Sequence, residues 1–316
     1  MSLKVAIGQL CSSSNLGRNL NTVIKILDKA QASNARILFL PEATDYISRN
    51  SQHSQELSKG VEAQFLNPLL KRIKESNGNT YVSIGIHLPG INRVKNLHVL
   101  IDPQGKVISE YQKIHLFDVD VPNGPILKES NSVEPGNKVE EPTTIDGFNL
   151  GLGICYDIRF PELALSLRKK GADIITFPSA FTTRTGEDHW ELLSRARAID
   201  SQCFVINAAQ CGYHDVGKSE TGEVIKRVSY GDSIVVDPWG NILGRASKYT
   251  DTPKLEEDGD YSEVIFADLD LEKLKKVRAN MPLLDHRRPE IFGSIQLNPF
   301  RSERSYSQIC EMEYYR

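Results

Sequence analysis

Cysteine, net charge and long apolar runs are all scarce in this chain of 316 residues. The five cysteines, at 11, 155, 203, 211 and 310, are odd in number and scattered along the whole length, which predicts reduced thiols rather than a disulfide framework. A net charge of −3, from 38 basic and 41 acidic side chains, argues against a nucleic-acid-binding surface and against a polybasic membrane patch. No apolar stretch approaches the length needed to cross a bilayer. The opening MSLKVAIGQL passes straight into a strand pattern, without the charged region, apolar stretch and cleavage site of a signal peptide. These absences predict a cytoplasmic protein. No low-complexity linker breaks the chain, so 1–294 is expected to form one domain, with 295–316 a tail that is disordered or sits at a dimer contact.

What the chain does have is alternation between strand-like and amphipathic stretches. KVAIGQL (4–10) reads as a strand, and NLNTVIKILDKAQASNA (19–35) as a helix with Leu20, Val23, Ile24 and Leu27 on one stripe. RILFLPEAT is a buried strand halted by Pro41. VEAQFLNPLLKRIKESNG, roughly 61–78, predicts a helix kinked at Pro68, with Gly78 just past its last turn. TYVSIGIHL is the next strand, and VKNLHVLIDPQGKVISEYQK predicts a hairpin turning at Asp102 to Gly105. PELALSLRKKG opens with proline at a helix start and closes with Gly171 at a C-cap, and a further helix is expected near 187–201. Strands and helices interrupted by hairpins predict a layered α/β fold with mixed sheets.

Chemistry concentrates at three strand ends. In LGLGICYDIRFPEL (150–163) an apolar run stops on Cys155 and turns at once polar, which a core strand has no reason to do. Functional groups in open α/β sheets gather at the carboxyl ends of strands, and Glu42 holds the equivalent place after ILFLP. Lys113, in YQKIHLFD, is the third candidate. Taken singly these residue types are more often a small buried hydrophobe, a solvated carboxylate and a surface lysine. Converging, they would supply the nucleophile, base and oxyanion stabiliser of an acyl-transfer site.

FLPEA around Glu42, YQKIHLFDVDVPNG around Lys113 and GLGICYDIRFPEL around Cys155 resemble, in order and separation, the three signature blocks of the carbon-nitrogen hydrolase or nitrilase superfamily. The similarity runs from residue 4 to about 294. KESNS (128–132), FPSAFTTRTGEDHWELLSRARAID, NAAQCG and HRRPEIFG resemble the Nit branch, and within it the deaminated glutathione amidases more than the omega-amidases. The resemblance implies a four-layer αββα sandwich, a homodimer, and neither metal nor organic cofactor.

It also implies roles. Glu42 would accept the thiol proton while Cys155 attacks an amide carbonyl, and Lys113 with the backbone N–H of Tyr156 would hold the oxyanion. Glu129 in KESNS resembles a second acid of the family that orients the lysine and the substrate amide. Arg159 would receive an α-keto carboxylate through a bidentate pair, or else serve as a cap partner or core salt bridge. Phe181 and Thr185 are expected to line the pocket, with a core role open for Phe181. The implied reaction is hydrolysis of a small α-keto-acid amide through a cysteine thioester. Deaminated glutathione, giving 2-oxoglutarate and cysteinylglycine in metabolite repair, is favoured over 2-oxoglutaramate, the omega-amidase substrate.

Other patterns compete. GYHDVGKS, Gly212 to Ser219, fits the phosphate-cradling GxxxxGK[ST] of nucleotide hydrolases, but that site needs a helix directly after Ser219, and ETGEVIKRVSYG is rich in β-branched residues. A Cys-His pair using His115 or His189 lacks the local protease signatures.

Overall fold

The computed structural model describes residues 2–120, 126–219, 221–251 and 261–292, so the expected tail at 295–316 lies outside the described residues. The chain divides into two units, Met1–Met281 and Pro282–Arg316. In the second, a short helix spans Pro289–Phe292. The sheets and the candidate site belong to the first.

Over the described residues that unit carries a seven-stranded and a six-stranded sheet. The first sheet runs in the order Ser262–Asp270, Ser2–Leu10, Ile37–Phe39, Tyr81–Pro89, Val94–Ile101 and Val107–Gln112, with Val133–Glu134 paired onto the start of Val94–Ile101. It is mixed. Ser2–Leu10 pairs parallel with Ile37–Phe39 and antiparallel with Ser262–Asp270. The second sheet runs Ile242–Arg245, Ile234–Val236, Phe204–Asn207, Ile174–Thr176, Phe148–Leu152 and Thr143–Ile145, parallel across its three central strands.

Strand alternation sorts the side chains into layers. Val5, Ile7, Ile37 and Phe39 join one core cluster with Leu150, Leu152, Ile174 and Phe204 of the second sheet. Their strand neighbours Ala6, Leu38 and Leu40 point the other way, into a cluster with Val23, Ile26 and Leu27 of helix Leu16–Ala32 and Leu69 and Ile73 of helix Asn67–Glu75. On the far face of the second sheet, a Cβ at Gly151 would lie 3.2 Å from Leu167 of helix Pro161–Lys169. The order is helices, sheet, sheet, helices, the expected αββα sandwich. Val23, Ile26 and Leu27 are fully buried, and each such side chain removed from water contributes about 1.5–3 kcal/mol.

The structure revises several boundaries. The first helix is Leu16–Ala32 and begins three residues before the predicted start, because the Asn15 side chain caps it by accepting from Arg18 N–H at 3.0 Å. The segment expected as one helix over 61–78 is a π-helical turn Glu62–Leu66 followed by α-helix Asn67–Glu75, and it continues an α-helix, Ser51–Val61, that was not expected. Pro68 sits in the first turn of the last of these, where its missing N–H is tolerated, and Asn77 (φ 51°), not Gly78, takes the left-handed position after it. The helix expected near 187–201 starts at Thr183, capped by Thr182. Gly171 (φ 96°) follows Pro161–Lys169 as predicted, and the hairpin turn at Asp102 to Gly105 joins Val94–Ile101 to Val107–Gln112.

One close approach fixes where Glu42 lies. Gly85 N–H donates to Pro41 O at 3.0 Å and Thr44 N–H donates to Gly85 O at 3.0 Å, so the chain after Ile37–Phe39 lies directly on Tyr81–Pro89. A Cβ at Gly85 would fall 2.5 Å from Glu42 Cα and 2.7 Å from Pro41 O, both backbone atoms that cannot swing aside. Gly85→Ala should therefore cost about 1–3 kcal/mol, the range for overpacking. The expected result is a lower urea midpoint at unchanged slope, and an unaltered midpoint would contradict the close approach.

Candidate active site

Three strand ends deliver the three candidate groups. Pro41 has no N–H to extend the ladder, so the chain turns, with Ala43 at φ 56° and the Thr44 hydroxyl donating to Pro41 O at 2.7 Å. This aims Glu42 inward. Lys113 follows Val107–Gln112. Its N–H donates to Asn96 O at 3.0 Å and its carbonyl accepts from Gly136 N–H at 2.7 Å, so the backbone is held on both sides. Cys155 follows Phe148–Leu152, whose parallel pairing continues as Gly153 N–H to Thr176 O at 3.0 Å and Cys155 N–H to Pro178 O at 2.9 Å.

At Cys155 the backbone enters the left-handed region, φ 45°, an unusual conformation for a side chain of this kind. A 3₁₀ turn, Cys155–Arg159, begins there. The buried Asp157 carboxylate holds it by accepting from Ile154 N–H (2.9 Å), Tyr111 OH (2.7 Å) and His115 N–H (3.1 Å), with His115 Nδ1 at 2.6 Å. Tyr111 and His115 flank Lys113 by two residues on each side. One carboxylate thus ties the turn carrying the thiol to the segment carrying the ammonium.

The side chains meet in a buried cluster. Lys113 Nζ donates to Glu42 Oε1 at 2.9 Å and lies 2.9 Å from both oxygens of Glu129. Asn96 Nδ2 donates to Glu42 Oε1 at 2.8 Å and to Glu129 Oε1 at 3.3 Å. Ala180 N–H donates to Glu42 Oε2 at 3.0 Å, and Phe117 N–H to Glu129 Oε2 at 2.7 Å. The Cys155 thiol lies beside the Glu42 carboxylate, whose charge acts on it.

Electrostatics assigns the protons. Burial alone would raise the pKa of Glu42, but the charge and hydrogen bond of Lys113, with the bonds from Cys155 and Asn96, bring it below its ordinary value. Burial would lower Lys113, and the carboxylates of Glu129 and Glu42 instead lift it well above 10.5. Burial and the nearby Glu42 charge push the Cys155 thiol well above 9.0, against the opposing pull of Lys113. The resting site holds a thiol beside a carboxylate, not a preformed thiolate.

These groups open into a cavity of about 400 Å³ that Arg159, Phe181 and Thr185 also line. Arg159 lies over the rings of Tyr156 (5.8 Å) and Phe181 (5.9 Å) with Nη2 3.2 Å from His189 Nδ1, and no acidic side chain among the described residues pairs with it. Phe181 is both wall and core, packing edge-on against the buried Trp190 at 4.8 Å. Thr185 bonds the Thr182 hydroxyl at 2.8 Å at the start of helix Thr183–Ser201. The Tyr156 N–H lies at the start of the 3₁₀ turn, ahead of its Asp157 N–H to Ile154 O bond, where helical N–H groups lack an internal partner.

The competing patterns do not form sites. Gly212 to Ser219 lies in and after a strand, Cys211–His214, that pairs with Arg227–Tyr230, and Ser219 N–H bonds Glu223 O at 2.8 Å across a turn. Among the described residues no helix follows Ser219 to bind phosphate. His115 is held by Asp157 and stacked on Phe160 at 3.7 Å, and His189 is bonded to Arg159. Asn96, Asp157 and Arg227 are site residues that the sequence reading missed. A signal existed for Asn96, a lone amide inside the apolar strand VKNLHVLI, buried to 2% exposure.

Comparison with known proteins agrees with this geometry. The carbon-nitrogen hydrolase family matches residues 4–279. Deaminated glutathione amidase of Mus musculus is 40% identical over 297 residues, covering 92% of this chain and 85% of that protein. A probable hydrolase nit2 of Schizosaccharomyces pombe is 41% identical over 295 residues, covering 92% and 99%. Among solved structures, the Caenorhabditis elegans NitFhit protein superposes with a TM-score of 0.80 at 34% identity, covering 92% of this chain and 66% of that one. Saccharomyces cerevisiae Nit3, a member of branch 10 of the nitrilase superfamily, superposes with a TM-score of 0.70 at 29% identity, covering 91% and 97%. The chain belongs to the carbon-nitrogen hydrolase family of the nitrilase superfamily. It is an amidase, a hydrolase of amide C–N bonds.

The shifted protons predict a broad pH plateau. The lowered Glu42 contributes stability above its ordinary 4.5 and loses it as pH falls through its folded value, while the raised Lys113 contributes stability below 10.5 and loses it as pH rises through its folded value. The charged cluster is intact between those limits. The kcat/KM profile should have its acid limb below 4.5, and a limb near neutrality would show that Glu42 is not held ionised.

Proposed function

We propose that this amidase hydrolyses a small α-keto-acid amide through a thioester on Cys155, with deaminated glutathione the preferred substrate. The observation that carries the mechanism is the single ammonium shared by two carboxylates, one of which lies beside the thiol. Glu42 takes the proton from Cys155 as sulfur attacks the carbonyl carbon. Charge moves to the carbonyl oxygen, where Lys113 Nζ and the Tyr156 N–H receive it. The tetrahedral intermediate collapses as Glu42 returns the proton to the departing nitrogen, leaving the acyl group on sulfur. Glu42 then deprotonates water, which attacks the thioester and releases the acid and the thiol.

Glu129 positions Lys113, and Asn96 holds the two carboxylates at their places. Arg159, four residues beyond Cys155 and without a carboxylate of its own, supports recognition of the α-keto carboxylate. The products would be 2-oxoglutarate and cysteinylglycine. The mouse relative is a deaminated glutathione amidase, which supports this substrate over 2-oxoglutaramate.

We also propose a homodimer. Leu192 and Ile199 on helix Thr183–Ser201, and Trp239 next to the Gly240 that packs on Ile199, are 68%, 47% and 56% exposed, apolar surface of the kind that marks protein contacts. Cys155, Cys203 and Cys211, which form no disulfide among the described residues, support a reducing, cytoplasmic setting. Among the described residues no helix is long and apolar enough to cross a membrane.

Three measurements test these proposals. Purified protein given both compounds should show a higher kcat/KM for deaminated glutathione, with an acyl adduct on Cys155 in the intact mass after brief exposure. A preference for 2-oxoglutaramate of about tenfold, some 1.4 kcal/mol, would overturn the substrate assignment. Replacing Leu192 and Ile199 together by Asp should lower the sedimentation coefficient to that of a monomer, and an unchanged coefficient would remove this face from the interface.

A further inference from the structure

The cavity holds a second guanidinium that the mechanism above does not use. Arg227 opens the strand Arg227–Tyr230, opposite His214 in the pairing with Cys211–His214, and lines the same cavity as Glu42 and Cys155. Its Nη1 donates to Ser48 O at 2.6 Å, fastening this hairpin to the loop that follows Glu42. A guanidinium has five N–H donors, and this backbone carbonyl is the acceptor found for Arg227 among the described residues. No acidic side chain among them pairs with it. Its surroundings are crowded enough that burial lowers its pKa, with the Glu42 charge acting in the opposite sense. The residue is nevertheless exposed to solvent, so a ligand can reach it.

The charges lining the cavity point the same way. Glu42 and Glu129 are its two carboxylates, against Lys113, Lys128, Arg159 and Arg227. Lys113 is held by both carboxylates, and the four cations exceed the two carboxylates by two charges. An amide with one carboxylate on its acyl side would engage Arg159 and leave Arg227 unanswered. An amide whose departing amine also ends in a carboxylate supplies a second anion, and a planar guanidinium is the side chain best shaped to take it.

We propose that Arg227 is a second anion subsite that binds the carboxylate of the leaving amine, so that this chain selects amides of carboxylate-terminated peptides over simple amides. The assignment rests on the amidase mechanism and acyl-side recognition given under Proposed function. It makes Arg227 a specificity-determining residue, acting on the part of the substrate that departs first.

The test uses three substrates with the same 2-oxoglutaryl acyl group and different leaving groups: cysteinylglycine, cysteinylglycinamide and ammonia. For the unaltered enzyme, kcat/KM should fall about 10- to 100-fold from the first to the second, the range for a hydrogen bond between charged groups. Arg227→Gln should erase that difference by lowering the first value, and Arg227→Lys should recover part of it. An equal loss on all three substrates would show that Arg227 acts only by fastening the loop at Ser48, and would overturn the subsite. So would unchanged discrimination between the first two. A tenfold preference of the unaltered enzyme for the ammonia substrate would instead defeat the deaminated glutathione assignment, while the comparison of capped and uncapped dipeptides would still decide the role of Arg227. Failure to turn over any of the three would overturn both.

Discussion

The structure depends on one ammonium ion held between two carboxylates away from water. Removing three charges from solvent costs several kcal/mol each, and mutual attraction offsets that only where geometry is good and the remaining polar atoms are satisfied. Here they are. Lys113 Nζ reaches Glu42 and both oxygens of Glu129 at 2.9 Å, and Asn96, Ala180 N–H and Phe117 N–H satisfy further carboxylate lone pairs. These donors come from different strands and loops, so the cluster forms only when both sheets are in register. The buried charge that makes the chemistry possible also specifies how the sandwich must close.

Closing it places the backbone in unfavourable conformations. Cys155 and Ala43 both take positive φ, 45° and 56°, at about 1–3 kcal/mol each for such positions. Both lie beside the charged cluster; Cys155 N–H donates to Pro178 O and Ala43 O accepts from Gln210 Nε2. Asp157 performs this for the thiol by gathering donors from Ile154, Tyr111 and His115. Because Tyr111 and His115 bracket Lys113, movement of the nucleophile turn would be transmitted to the lysine, and the carboxylate is reinforced by the stacking of His115 on Phe160.

Much of this was legible in the sequence. Apolar strands ending on Glu42 and Cys155, together with the block around Lys113, marked the cluster, and KESNS marked Glu129. Arg159, Phe181 and Thr185 were expected at the cavity and line it. What escaped has physical causes. The helix Ser51–Val61 reads SQHSQELSKGV, with few apolar positions to set a period, and it is started by the Asn50 side chain, which accepts from His53 N–H at 2.8 Å. The π-helical turn before Pro68 leaves no mark in the apolar pattern. Arg227 sits in a polar segment where the GxxxxGK[ST] match drew attention to Lys218, and only folding brings the hairpin to the cavity. Pairings between distant segments, such as Asp157 with Tyr111 and His115, have no local signature.

The direction of each proton shift decides which residue can do which work. Lys113, lifted well above 10.5, remains an ammonium near neutrality and can stabilise charge but not exchange a proton in the proposed cycle. The thiol of Cys155, pushed well above 9.0, is a weak nucleophile until its proton leaves. Glu42 is the carboxylate beside it, and moving the proton between them leaves the net charge of the cluster unchanged. Charge separation with solvent is therefore not required in the attack. The sulfur becomes strongly nucleophilic only as Glu42 accepts its proton, which suits a site that must spare other electrophiles and act on an aligned amide.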